Sequence, residues 1–71
     1  MRRITIREGE DFIKLGQLLK AAGLVISGVE AKEVILDGAV KVNNTIETRR
    51  GRKLYDGDVV EYINETILVK K

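Results

Sequence analysis

Arg49, Arg50, Gly51, Arg52 and Lys53 put four cations into five consecutive residues. Phosphate backbones are the densest anions such a loop meets, and the guanidinium fork matches phosphate oxygens two at a time. Gly51 lets the loop backbone come close to such a partner. The plainer alternative is a solvated loop that balances the acids downstream. From Lys41 to Lys53 there are five cations and one acid, Glu47; from Leu54 to Val69 there are four acids and no cation. The asymmetry implies one basic face, although the net charge is only +2. On this reading the loop lies outside the core, and changing its four cations to Ala leaves the melting temperature nearly unmoved.

Other residues suggest contacts of the same kind. Ser27 and Gly28 open a helix, where free N–H groups favour an anion. A capping box with Glu30 uses one of those donors, so a plain cap explains Ser27 equally well. Lys32 lies among apolar neighbours on the helical wheel, Val29, Ile35 and Leu36. It either snorkels or meets a partner. The acids Glu30, Glu33 and Asp37 form a separate stripe that repels RNA. Lys14 flanks the apolar face of the first helix. Lys20 points away from it and serves as the solvated comparison. The rings Phe12, Tyr55 and Tyr62 are scattered, a poor platform for stacking bases, which favours folded or duplex RNA over single strands.

Several chemistries are excluded. The chain has no Cys and no His, hence no disulfide, thiol nucleophile, imidazole base or zinc–cysteine site. Asp56 and Asp58 flank Gly57 and read as turn chemistry, not as a catalytic pair. A chain of 71 residues leaves little room for a substrate pocket of ordinary size. No apolar run approaches a membrane span, and the polar start "MRRITIRE" is no signal peptide. A cytoplasmic protein is expected.

The elements that must carry these residues follow from periodicity. Ile4 and Ile6 alternate with Arg3, Thr5 and Arg7, a short strand. Glu10 and Asp11 mark an acidic helix start. The helix then runs from Phe12 to Ala22, with Leu15, Leu18, Leu19 and Ala22 on one face and Gly23 as its stop. The second helix starts at Ser27, with Ile26 and Ala31 as a weak hydrophobic staple, and ends near Asp37 before Gly38. Val40 and Val42 point inward from a hairpin turned at Asn43–Asn44. An Asp56–Gly57 turn leads into a strand, and an Asn64–Glu65 turn into the last one. The predicted class is α+β: two helices packed on a small, mainly antiparallel sheet of about four to five strands.

The run "IKLGQLLKAAGLVISGVEAKEVILDGAVKVNN" resembles the αL motif of the S-four RNA-binding domain. The matching residues are Lys14-Leu15, Gly23-Leu24, Ser27, Ala31-Lys32, Ile35, Gly38, Val40 to Asn43, and the closing Gly57, Asp58 and Val60. The resemblance covers about residues 12–62. The segment "ETRRGRKLYDGDVVEY" is similar to the small stand-alone YaaA/YbcJ-like members. Gly16, Gly28 and Asn44 depart from the larger members, which often carry Asp, Arg and Gly there. The resemblance implies a single RNA-binding domain over 1–71 that is not an enzyme. Its expected partner is structured RNA, with ribosomal RNA or a ribosomal particle as the target. A monomer is expected, with no cofactor, metal, membrane or small-molecule substrate. The contact residues on this reading are Lys14, Ser27, Lys32, Lys41, Asn43, Arg49, Arg50, Arg52 and Lys53. The alternative is a protein-interaction adaptor associated with a ribonucleoprotein.

Overall fold

A computed structural model describes all residues, 1–71. Its elements run β1 (Arg2–Thr5), β2 (Ile13–Lys14), α1 (Leu15–Ala21), α2 (Gly28–Leu36), β3 (Val40–Val42), β4 (Thr45–Ile46), β5 (Lys53–Leu54), β6 (Val59–Tyr62) and β7 (Glu65–Lys70). Five strands form one sheet in the order β1-β7-β6-β3-β4, and β2 pairs with β5 in a separate two-stranded ribbon. The pairing is antiparallel except for β1 and β7, which run parallel with Arg3 beside Leu68 and Ile4 beside Val69. The α+β class is therefore as expected, with two short strands added.

Alternation along the strands sends Val40, Val42, Val60, Ile67 and Val69 inward, where they meet Leu15, Leu18, Leu19 and Ala22 of the first helical segment and Ala31 and Ile35 of α2. Nearly all of these are fully buried. Burying a Val, Leu or Ile side chain is worth roughly 1.5–3 kcal/mol, so this layer dominates the favourable side of folding. Both helices end in a Schellman motif. Gly23 (φ +73°) and Gly38 (φ +77°) take the left-handed position after the cap. The N–H of Leu24 bonds the Leu19 carbonyl, and that of Ala39 the Val34 carbonyl.

The first helix starts later than its periodicity suggests. Phe12 lies outside it, and Ile13 and Lys14 pair with Leu54 and Lys53 as strand. The first turn contains no acid. Its N–H groups are instead satisfied by a distant loop: Leu15 donates to the Arg52 carbonyl at 2.9 Å and Gly16 to the Arg50 carbonyl at 3.0 Å. Asp11 pairs with the Lys71 ammonium at 2.7 Å.

Ser27 caps α2 as expected, its Oγ accepting from the Glu30 N–H at 3.1 Å. The Glu30 carboxylate reaches one residue further back than a standard box, to the Ile26 N–H at 2.7 Å. The staple does not form, because Ile26 is 91% exposed while Ala31 is buried. Ser27→Ala is expected to cost about 1 kcal/mol, read as a lower urea midpoint with unchanged slope.

The last hairpin turns one residue earlier than expected. Tyr62 pairs with Glu65, so the loop is Ile63–Asn64, and Ile63 takes φ +56°. A β-branched residue is strained there. The buried Val60–Ile67 pair pins the register, and a slip of one residue would turn that whole face outward.

Candidate nucleic-acid interface

The basic loop is held at both ends by buried residues. Leu54 is fully buried at one end, and at the other the Glu47 side chain is only 8% exposed. Glu47 Oε2 accepts from the backbone N–H of Thr48 (3.0 Å) and Arg49 (3.1 Å) and from Arg49 Nε (3.0 Å). Its Oε1 accepts from Arg49 Nη2 (2.9 Å) and Arg52 Nη1 (3.0 Å). The Arg49 side-chain bonds, then the Arg49 backbone and Arg52 bonds, hold the carboxyl down at about 2 against an ordinary 4.5, although burial works the other way. Glu47 thus shapes the loop, a role that its place as the one acid in a basic segment did not reveal. The loop is not independent of the fold. Removing Arg49 and Arg52 would strip a buried carboxylate of its charged partners, so the fourfold Ala change is now expected to lower the melting temperature.

The remaining cations face outward. Lys14, Lys20, Lys53 and Arg50 make no ion pair. Lys14 and Lys53 lie directly opposite each other in the β2–β5 ribbon. Like charges in that position oppose folding. Lys53 gains some relief, because its Nζ sits 4.8 Å from the centre of the Phe12 ring. A bound anion would relieve both lysines.

Two adjoining clefts collect these groups. One, of about 280 Å³, is lined by Lys14, Gly16, Gln17, Lys20, Gly28, Arg50 and Gly51. The other is shallower and is lined by Arg49, Gly51, Arg52 and Lys53. They share Gly51, and neither contains a carboxylate. Five of the expected contact residues are thereby brought together: Lys14, Arg49, Arg50, Arg52 and Lys53. Ser27 adjoins the first cleft through Gly28. Lys32 stands one helical turn beyond Gly28 on the same side of α2. Lys41 and Asn43 line neither cleft. Lys41 lies between buried Val40 and Val42, so it projects from the opposite face of the sheet, in register with Glu61 and Ile46. The Asn43 amide is occupied within the protein, donating to Asp58 Oδ1 (3.0 Å) and accepting from the Val59 N–H (2.9 Å).

Lys20 was missed. It does point away from the core, but that direction leads into the basic cleft. The spacing of Lys14, Gln17 and Lys20, three residues apart, is the signal that marks one helical stripe. The rings are not all scattered either: Phe12 and Tyr55 form a tilted pair with centroids 6.0 Å apart.

Gly16 decides how closely the loop seats on α1. A Cβ there would stand 2.7 Å from Arg50 Cγ and 3.6 Å from the Arg50 carbonyl oxygen. Gly16→Ala is expected to displace Arg50. Overpacking costs about 1 kcal/mol or more and the better helix propensity returns up to about 1 kcal/mol, so net stability changes little. RNA affinity should fall while the melting temperature stays within a few degrees, a split that a titration and a melt on the same sample would read.

Comparison with known proteins bears on the fold and the family. The S4 domain profile matches residues 4–70. A Bacillus subtilis protein named "Probable ribosome maturation protein RlbA" is 51% identical over 51 residues, covering 72% of each chain. The Escherichia coli "Putative RNA-binding protein YbcJ" is 37% identical over 57 residues, 80% of this chain and 81% of that one. The solution structure of YbcJ, described as revealing an αL motif involved in RNA-binding, superposes with a TM-score of 0.73 at 31% identity. That match covers all of this chain and 89% of the other. With its αL helices, its basic loop and all of the sheet but the first two residues of β1 inside the matched span, the chain belongs to the S4 domain family.

Proposed function

We propose that this chain is a non-enzymatic RNA-binding protein, acting as a single domain that holds structured RNA, with ribosomal RNA or a ribosomal particle as its target. The observation that carries the reading is the convergence of Lys14, Lys20, Arg50 and Lys53, none of them ion-paired, on clefts without a carboxylate. Phosphates would lie along this track, with Arg49 and Arg52 set in place by Glu47. Arg49 remains available, its side chain 72% exposed despite the ion pair. Lys32 would extend the track along α2. The names of the two relatives support RNA as the partner and ribosome maturation as the setting. Filter binding of a folded ribosomal RNA fragment against a single strand of equal length, over a range of salt, tests this. The folded fragment should win, with a log–log slope of roughly −3 to −5 for four or five contacts. A flat salt response, or no preference for the folded RNA, overturns the reading.

One observation favours the adaptor as a second reading. Ile26, Val29 and Leu36 are exposed on and just before α2. An interaction with ribosomal particles that survives complete nuclease digestion would favour it.

A further inference from the structure

Beside the basic cleft, a cavity of about 390 Å³ opens between the end of β1 and α1. That is within the size range of small-ligand sites, more room than the length of the chain suggests. Phe12 and Ile13 supply apolar wall, Arg7 and Lys20 supply cations, and Glu10 and Gln17 supply polar atoms. Gln17 and Lys20 line both this cavity and the basic cleft, so the two adjoin. We propose that this cavity takes the guanine base of one nucleotide unstacked from the RNA whose backbone occupies the cleft. The inference rests on the RNA-binding reading above.

The polar groups select the base. Gln17 Oε1 accepts from the Lys14 N–H at 3.2 Å, which fixes the amide and leaves Nε2 as a donor. Glu10 carries an acceptor-only carboxylate, engaged only by Arg7 at 3.9 Å. Guanine alone among the four bases presents two adjacent N–H donors beside a carbonyl oxygen. Glu10 accepts from N1–H and the N2 amino group, and Gln17 donates to O6. Adenine and cytosine set a ring-nitrogen lone pair against the carboxylate. Uracil flanks its N–H with two oxygens. The aromatic wall at Phe12 suits an unstacked base. Lys20, at the junction with the cleft, would hold the phosphate that leads the strand in.

The test titrates the four nucleoside 5′-monophosphates into the full chain, followed by amide NMR. It then compares hairpin RNAs that differ only in one bulged base. Guanosine monophosphate should shift the Gln17 side-chain amide and the backbone of Phe12 and Ile13. The bulged G should bind roughly fivefold to a hundredfold tighter than bulged A, C or U. Glu10→Gln, on an exposed side chain, should erase that preference while leaving the fold intact. Equal shifts from all four nucleotides, or shifts confined to Lys14 and Arg50, overturn the proposal. Guanosine monophosphate binding without discrimination among bulges supports the guanine chemistry and overturns RNA as its source. Salt-dependent RNA binding that persists with no base preference removes this pocket and leaves the RNA-binding reading standing. Loss of all RNA binding removes that reading too.

Discussion

Glu47→Gln is expected to lower the melting temperature by roughly 10 °C. The substituted amide keeps an acceptor oxygen toward the three donors at Oε2 and turns an NH₂ group toward the two at Oε1, Arg49 Nη2 and Arg52 Nη1. Charge-assisted bonds are lost, and Arg49 and Arg52 are left facing a donor. The depressed carboxyl sets the scale. A fall from 4.5 to about 2 corresponds to a few kcal/mol, and solvent at the 72%-exposed Arg49 side chain reduces that to about 2 kcal/mol. The pH dependence has a definite sign. In the unfolded chain the carboxyl binds a proton near 4.5, and in the folded chain only near 2. Its contribution is therefore complete above pH 4.5 and is lost as the pH falls toward 2. Asp11 is also held low, chiefly by the Lys71 side chain, and Asp56 chiefly by the Lys71 N–H, so both act in the same direction. Urea unfolding at pH 7 and pH 3 should show a smaller difference for Glu47→Gln than for the natural chain. An unchanged pH dependence would mean that Glu47 does not organise the loop.

Changing Lys14, Lys20 and Arg50 together to Ala should reduce RNA affinity roughly a hundredfold near physiological salt and flatten the salt slope by two to three contacts. All three side chains are exposed, and none has an acidic partner to orphan. The melting temperature should hold or rise slightly, because the Lys14–Lys53 repulsion is relieved. The contrast with Arg49 and Arg52 is the useful one. Their loss should reduce binding and stability together, since they also serve Glu47. Lys41→Ala is the fair control, on the far face of the sheet. If it weakens binding as much as the triple change, the contact surface is not the cleft.

Much of this was legible in the residues themselves. The 3.6-residue spacing of Leu15, Leu18, Leu19 and Ala22 and the alternation of Val40 and Val42 identify which faces are buried, because helix and strand geometry bring residues at those spacings to one face and burial fills that face with apolar side chains. Gly23, Gly38 and the Asn43–Asn44 pair mark turns for a local reason, as only residues tolerant of positive φ sit there cheaply. The cation cluster likewise announces a basic surface by composition. Tertiary structure decided what those signals could not carry. Residues 12–14 read as helix by themselves, yet Ile13 and Lys14 become strand because β5 and the loop carbonyls of Arg50 and Arg52 arrive from some 40 positions away. Glu47 looks like a lone dissenting charge until folding buries it under two guanidinium groups. Asn43 reads as a free contact until the Asp58 turn closes on its amide. Lys20 reads as solvated until Gly28 and Arg50 are placed across from it. Glu47 is held by near neighbours, Thr48, Arg49 and Arg52, and only its burial comes from the fold; the other cases depend on a partner distant in sequence. Local periodicity and propensity carry no information about such partners, whereas the packing of a core this small leaves little choice among them.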